Sequence, residues 1–127
     1  MKVHSDSFEH GKPIPSEFAM GARDGANGFG GNRNPHLAWR EVPDGTQSFA
    51  LLCIDTDAPT DGALVANASI DIPVAHPRGD FVHWTVIDIA ADRNEIAAGS
   101  CSDGITPRGQ PAGSDAGGRR GLNDYTG

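Results

Sequence analysis

Two apolar runs constrain this 127-residue chain more than anything else in it. The first, Ser48-Phe49-Ala50-Leu51-Leu52-Cys53-Ile54, is bounded by the turn Pro43-Asp44-Gly45 and the prolyl loop at Pro59. A continuous apolar run of this length predicts a strand buried on both faces, with Cys53 as a small core residue inside it. The second, Phe81-Val82-His83-Trp84-Thr85-Val86-Ile87-Asp88-Ile89, is dense in aromatic and β-branched side chains and follows Pro77-Arg78-Gly79-Asp80, so it reads as a second strand.

Between and around these runs the chain turns often. Its 17 glycines and 9 prolines argue against a helical bundle and for many turns and long loops. Asn34-Pro35-His36-Leu37-Ala38-Trp39 reads as a short edge strand entered through a proline, where a missing N–H is tolerated. Residues 61–72 read as a loop or a short helical turn, and Ile96-Ala97-Ala98-Gly99 as a helical turn or a strand end. Gly21 to Asn34 and Gly99 to Gly121 hold few apolar residues to offset ordering entropy and read as long surface loops. The length predicts one domain, residues 1–127.

A formal net charge of −7 sets the long-range field against nucleic acid and anionic lipid surfaces, so any anionic ligand must be held by a local site. Two cysteines are too few for a disulfide framework and are expected to be reduced, Cys101 accessible and Cys53 inside. The N-terminal residues show no apolar signal core, and no stretch has the length to span a bilayer. The expectation is a cytoplasmic protein without integral membrane association.

Chemistry concentrates at two places. Asp55-Thr56-Asp57-Ala58-Pro59-Thr60 leaves the first run, with two carboxylates flanking a hydroxyl beside a rigid proline. Composition alone favours an Asx turn that ends the strand, and the spacing of a calcium loop is absent. His83 lies within the second run and shares a face with Phe81, Thr85 and Ile87 by the period of two. On its own it reads as a core histidine satisfied by one partner; with Asp55 or Asp57 beside it, it becomes a charged donor for a phosphate or carboxylate. No serine or cysteine nucleophile is placed to complete a triad, and the five histidines show no metal-ligand spacing. Gly28-Phe29-Gly30-Gly31 follows no strand and opens no helix, so it is not a phosphate loop. Nothing calls for a cofactor.

Taken together and in order, these segments resemble the phosphatidylethanolamine-binding protein family, in its bacterial, Raf kinase inhibitor-like branch. The family motif is a buried strand running into Asp-Pro-Asp-x-Pro, then an aromatic-flanked histidine on the next strand. Here those elements are Phe49 to Ile54, Asp55-Thr56-Asp57-Ala58-Pro59 and Phe81-Val82-His83-Trp84. The stretch from Asn34 to Thr46 resembles the segment upstream of the motif, and Gly121 to Gly127 resembles an element downstream. Thr56 stands where the family usually has proline, which frees φ and restores an N–H, and Thr60 stands for the usual serine. A glycine-proline segment and a histidine-arginine-tyrosine strand that close the family's pocket do not occur, so the resemblance implies a domain incomplete at its C-terminus.

The resemblance implies a mainly β fold of two packed antiparallel sheets in a Greek-key arrangement with long glycine-rich loops. It also implies a non-enzymatic site for phosphate or phosphorylethanolamine-like head groups, with one wall made of Asp55, Asp57, Pro59, Phe81 and His83. His83 is the expected donor, Asp55 its orienting partner, Asp57 the shaper of the loop, and Pro59 and Phe81 the apolar walls. The alternatives are an interaction module that inhibits a kinase or protease, with the pocket as a regulatory handle, and a hydrolase using His83 as general base.

Overall fold

The long strands do form, and they pair with each other. The computed structural model describes residues 1–65 and 69–125. It contains β1 (Lys2–His4), β2 (Leu37–Arg40), β3 (Ser48–Pro59), β4 (Arg78–Ala90), β5 (Glu95–Ile96), β6 (Gly113–Asp115) and β7 (Gly118–Arg120), with one helical turn, α1 (Gly62–Val65). Residues 66–68, inside the stretch read as loop or helical turn, lie outside the described residues. The strands form two antiparallel sheets, of order β1-β2-β5 and β3-β4-β7-β6. No helix among the described residues is long and apolar enough to cross a membrane.

The core lies between the sheets. Val86 and Ile89 of β4, Ile96 of β5 and Trp39 of β2 are buried, and Trp39 meets Phe49 of β3 edge-on at 5.4 Å between ring centroids. Asn34 ties the loops to this core. Its side chain donates to the carbonyls of Ala97 and Pro35, and its Oδ1 accepts from the backbone N–H groups of Cys101 (2.7 Å) and Ser102 (3.0 Å). At 5 % exposure it is the buried polar residue of the described chain, and each of its polar atoms is used.

Several expectations need correction. The segment at Leu37 is not an edge strand: β2 is central, because the N-terminal residues Lys2–His4 pair along it (Val3 opposite Trp39) and β5 covers its other side. Three residues without an apolar pattern gave no strand signal. Instead, hydrogen bonds from Ser5 Oγ to the His36 carbonyl and from the His36 N–H to Ser7 Oγ hold them in place.

Gly99 to Gly121 is not loop throughout, since β6 and β7 make a hairpin within it. Its two-residue turn places Ala116 and Gly117 at positive φ (49° and 78°), a conformation that matches the strand twist. The hairpin docks through Asp115, whose buried carboxylate accepts from Trp84 Nε1 at 2.9 Å and Arg120 Nη1 at 3.2 Å. Gly118 must be glycine: a Cβ there would lie 2.3 Å from the Ile87 carbonyl oxygen.

The largest correction concerns β3. Cys53 is exposed, and Leu52 and Ile54 are 62 % and 43 % exposed. The strand ends its sheet and pairs with β4 alone, so its outer edge and part of one face are uncovered by the described residues. A continuous apolar run records only that both faces are apolar, not that both are covered. An apolar groove of about 450 Å³ opens here between Met1, Val3 and Trp39 on one side and Phe49 and Leu51 on the other.

Asn34→Ala leaves the part-buried N–H groups of Cys101 and Ser102 without their shared acceptor, while the Ala97 carbonyl keeps its bonds from Ser100. Urea unfolding should show a loss on the order of 2–3 kcal/mol, the cost of leaving buried polar groups unpaired. A loss within about 0.5 kcal/mol of zero, as at an ordinary surface position, would show that the loops do not depend on this hub.

Candidate functional site

The Asp55–Pro59 corner is shaped by a mismatch in the β3–β4 ladder. Asp55 lies opposite Phe81, but the next paired residues are Ala58 with Gly79 and Pro59 with Arg78, so β3 carries one extra residue over this interval. The excess is taken up as a bulge, which re-aims the chain. Within it the Asp57 N–H donates to Asp55 Oδ1 at 2.8 Å, the Asx turn that composition favours. Arg78 Nη1 donates to the Asp57 carbonyl at 3.0 Å, and both the N–H and hydroxyl of Thr60 donate to the Pro77 carbonyl at 3.2 Å.

A second mismatch presents His83. Cys53 lies opposite Trp84 and Ile54 opposite Val82, so here the extra residue belongs to β4. His83 is half-buried and packs with Phe81 at 5.1 Å and with Tyr125 at 5.5 Å between centroids, while Phe81 and Tyr125 meet edge-on at 4.8 Å. Tyr125 Oη stands 3.0 Å from His83 Nδ1.

Tyr125 is brought there by the chain after β7, which runs back along β4. The Gly121 N–H donates to Thr85, the Asp124 N–H to Val82, and Asn123 Nδ2 to the His83 carbonyl, while the Val82 N–H donates to the Asp124 carboxylate at 2.6 Å.

The partner of His83 is therefore Tyr125 rather than an aspartate. No carboxylate among the described residues lies within ion-pair distance of His83, because Asp55 sits opposite Phe81 and turns its oxygen onto the Asp57 N–H. Asp55, Phe81 and His83 share one corner. Asp57 borders it through Asp55, and Pro59 lies farther along, beside Arg78.

Sequence reasoning did not select Tyr125, Arg78 or Cys53 for this corner. The Gly121–Gly127 segment that holds Tyr125 resembles a downstream element with no role implied for the ring, and local sequence gives no salt-bridge or ligand spacing for Arg78 or Cys53.

The electrostatics follow from crowding. Burial pushes the Tyr125 phenol up, and charge on Cys53 and Asp55 adds to the shift, so Tyr125 keeps its proton at neutral pH. Cys53 is solvent-accessible as a residue, yet burial of its thiol against the ladder raises it, with Asp55 adding to the effect. At the corner Asp55 and Asp57 are exposed, and Phe81 and His83 are half-buried. The apolar groove lies elsewhere, as does a shallow hollow of about 470 Å³ at Asp92–Glu95. Among the described residues no group of three or more histidine, cysteine, aspartate or glutamate side chains is placed to hold a metal ion.

The sequence profile of the family described as Phosphatidylethanolamine-binding protein matches residues 4–127. The chain belongs to this family. Its relatives lie in the bacterial branch: it is 32 % identical over 96 residues to a UPF0098 protein of Aquifex aeolicus, covering 76 % of this chain and 41 % of that protein. It is 31 % identical over 99 residues to the UPF0098 protein YbhB of Escherichia coli, covering 78 % of this chain and 50 % of that one. The crystal structure of E. coli YbcL, described as a new member of the mammalian PEBP family, superposes with a TM-score of 0.57 at 29 % identity, over 79 % of this chain and 49 % of that chain. The chain thus spans about half the length of the relatives it matches. The chain's mainly β architecture with two antiparallel sheets superposes on this neighbour of the same family, and family membership makes binding the general kind of function.

The proximity of Asp55 and Cys53 is measurable. Both thiols should react with an alkylating reagent without unfolding, and Cys53 should react faster as pH rises toward its raised pKa. Asp55→Asn removes the charge that disfavours the thiolate, so the rate profile of Cys53 should move to lower pH while that of Cys101 stays in place. An unmoved Cys53 profile would separate the two side chains.

Proposed function

We propose that the chain is a non-enzymatic binding protein that holds small anions of the phosphate or phosphorylethanolamine type at the His83 corner. The observation that carries this reading is the Tyr125–His83 contact. A protonated phenol donating to Nδ1 selects the imidazole tautomer with its proton on Nε2, which offers an outward N–H to an anionic oxygen. Phe81 and Tyr125 supply apolar walls, Asp55 and Asp57 suit the amine end of a zwitterionic head group, and Pro59 stiffens the corner's far side. The −7 net charge makes a local donor necessary rather than optional.

Absence of turnover belongs to the proposal. Cys53, the thiol nearest this corner by its coupling to Asp55 and Tyr125, is pushed away from its reactive form. The interaction reading, inhibition of a kinase or protease, draws support from the uncovered apolar side chains of β3, Leu52 and Ile54. A cytoplasmic location completes the proposal and is checked by cell fractionation.

Calorimetric titration with phosphate and with phosphorylethanolamine, with product analysis on the same samples, separates these readings. Saturable binding without product is expected, and His83→Ala should weaken it about ten- to hundredfold, the worth of a hydrogen bond to a charged group. Unchanged affinity in His83→Ala would remove His83 from the site. Release of inorganic phosphate or ethanolamine would replace binding with hydrolysis.

A further inference from the structure

Arg78 gives its donors to the backbone of two separate segments. Nη1 donates to the Asp57 carbonyl at 3.0 Å, Nη2 reaches the Pro73 carbonyl at 3.4 Å, and Nε is buried with no partner among the described residues. The side chain is spent on backbone oxygens rather than on a carboxylate. Those oxygens belong to two different segments, the bulged end of β3 and the loop leading into β4. A planar guanidinium can bridge two such acceptors with fixed geometry, which a lysine ammonium on a flexible stem does not reproduce.

The bridged position is also the one that most needs restraint. Thr56 and Asp57 lie in the interval between paired Asp55 and paired Ala58, where the ladder supplies no Cα partner. Thr56 leaves φ free there, as a proline would not. Asp57 in turn donates its N–H to Asp55, and Asp55 lies opposite Phe81, which packs on His83 and Tyr125. An unbroken series of contacts thus runs from Arg78 through Asp57 and Asp55 to the aromatic corner.

We propose that Arg78 is a positioning residue of this site, a clamp that joins the bulge at Asp57 to the loop at Pro73 and so fixes where Asp55 stands beside Phe81. Its contribution to anion binding rests on the function proposed above, whereas its hold on Asp55 does not. Arg78 touches no ligand in this account and acts through Asp57.

Cys53 reports on Asp55 without any ligand, which lets the two parts be tested separately. The alkylation profile of Cys53 against pH is measured in the parent chain, Arg78→Ala, Arg78→Lys, Asp55→Asn and the double variant Arg78→Ala/Asp55→Asn, with Cys101 as internal control and thermal unfolding recorded for each. Release of the clamp frees Asp55 into water, so Arg78→Ala should move the Cys53 profile to lower pH, toward that of Asp55→Asn. The double variant should match Asp55→Asn alone, since two changes acting through one carboxylate do not add. Arg78→Lys, which keeps the charge and loses the bridge, should resemble Arg78→Ala.

The sign is diagnostic. Loss of a cation by itself disfavours the thiolate and moves the profile to higher pH. A shift in that direction, an unmoved profile, effects that add in the double variant, or equal acceleration of Cys53 and Cys101 at every pH through general loosening would each overturn the proposal.

Phosphate affinity of Arg78→Ala should fall about tenfold, comparable to loss of one strong hydrogen bond in the site. If the parent chain binds neither phosphate nor phosphorylethanolamine, the functional reading fails while the Cys53 profiles still decide the role of Arg78.

Discussion

The β3–β4 ladder carries the structure. It runs from Ser48 opposite Ala90 to Pro59 opposite Arg78, and it joins the core at one end to the candidate site at the other. Val86 and Ile89 on β4 bury themselves against Trp39 and Ile96 of the second sheet, while the hairpin β6–β7 and the returning segment at Gly121–Tyr125 lean on the free side of β4. The ladder is also irregular at three points, and the two nearest its open end have opposite sense. One inserts a residue into β4 and turns out His83; the other inserts a residue into β3 and makes the Asp55–Pro59 corner. Bulges of this kind re-aim side chains while the rest of the ladder keeps its hydrogen bonds.

This arrangement explains which parts of the molecule are legible in its sequence. Phe49 to Ile54 and Phe81 to Ile89 are strands because β-branched and aromatic side chains suit a pleated surface, and the motif-matched residues Asp55, Phe81 and His83 come together because these strands are neighbours. What sequence did not disclose depends on partners distant along the chain. Lys2–His4 becomes a strand only because β2 is there to receive it, and Gly113–Arg120 becomes a hairpin through a buried Asp115 that Trp84 and Arg120 satisfy. The exposure of Cys53 has the same origin, since apolar character along a strand says nothing about what is stacked over it.

The site follows the same logic. Two carboxylates at a strand end suggest an aspartate beside His83, but the Asx turn consumes Asp55 Oδ1 locally, and a phenol arriving from 42 residues away takes His83 Nδ1. A neutral tyrosine in place of a carboxylate orients the imidazole without adding negative charge beside the position an anion would occupy. In a chain whose charge is −7 and a corner that already holds Asp55, sparing a further carboxylate suits the anionic ligand proposed above.

The proposed function requires a phosphate-type ligand to sit against His83 in the corner shared with Phe81 and Tyr125. Nuclear magnetic resonance of the histidine ring signals during titration with phosphorylethanolamine tests it most directly. Saturable shifts of the His83 ring resonances are expected, with the Phe81 and Tyr125 ring protons following the same curve and the His4, His10, His36 and His76 signals holding still. Shifts that appear at other histidines while His83 is unmoved, or no saturable shift at any ring, would contradict it.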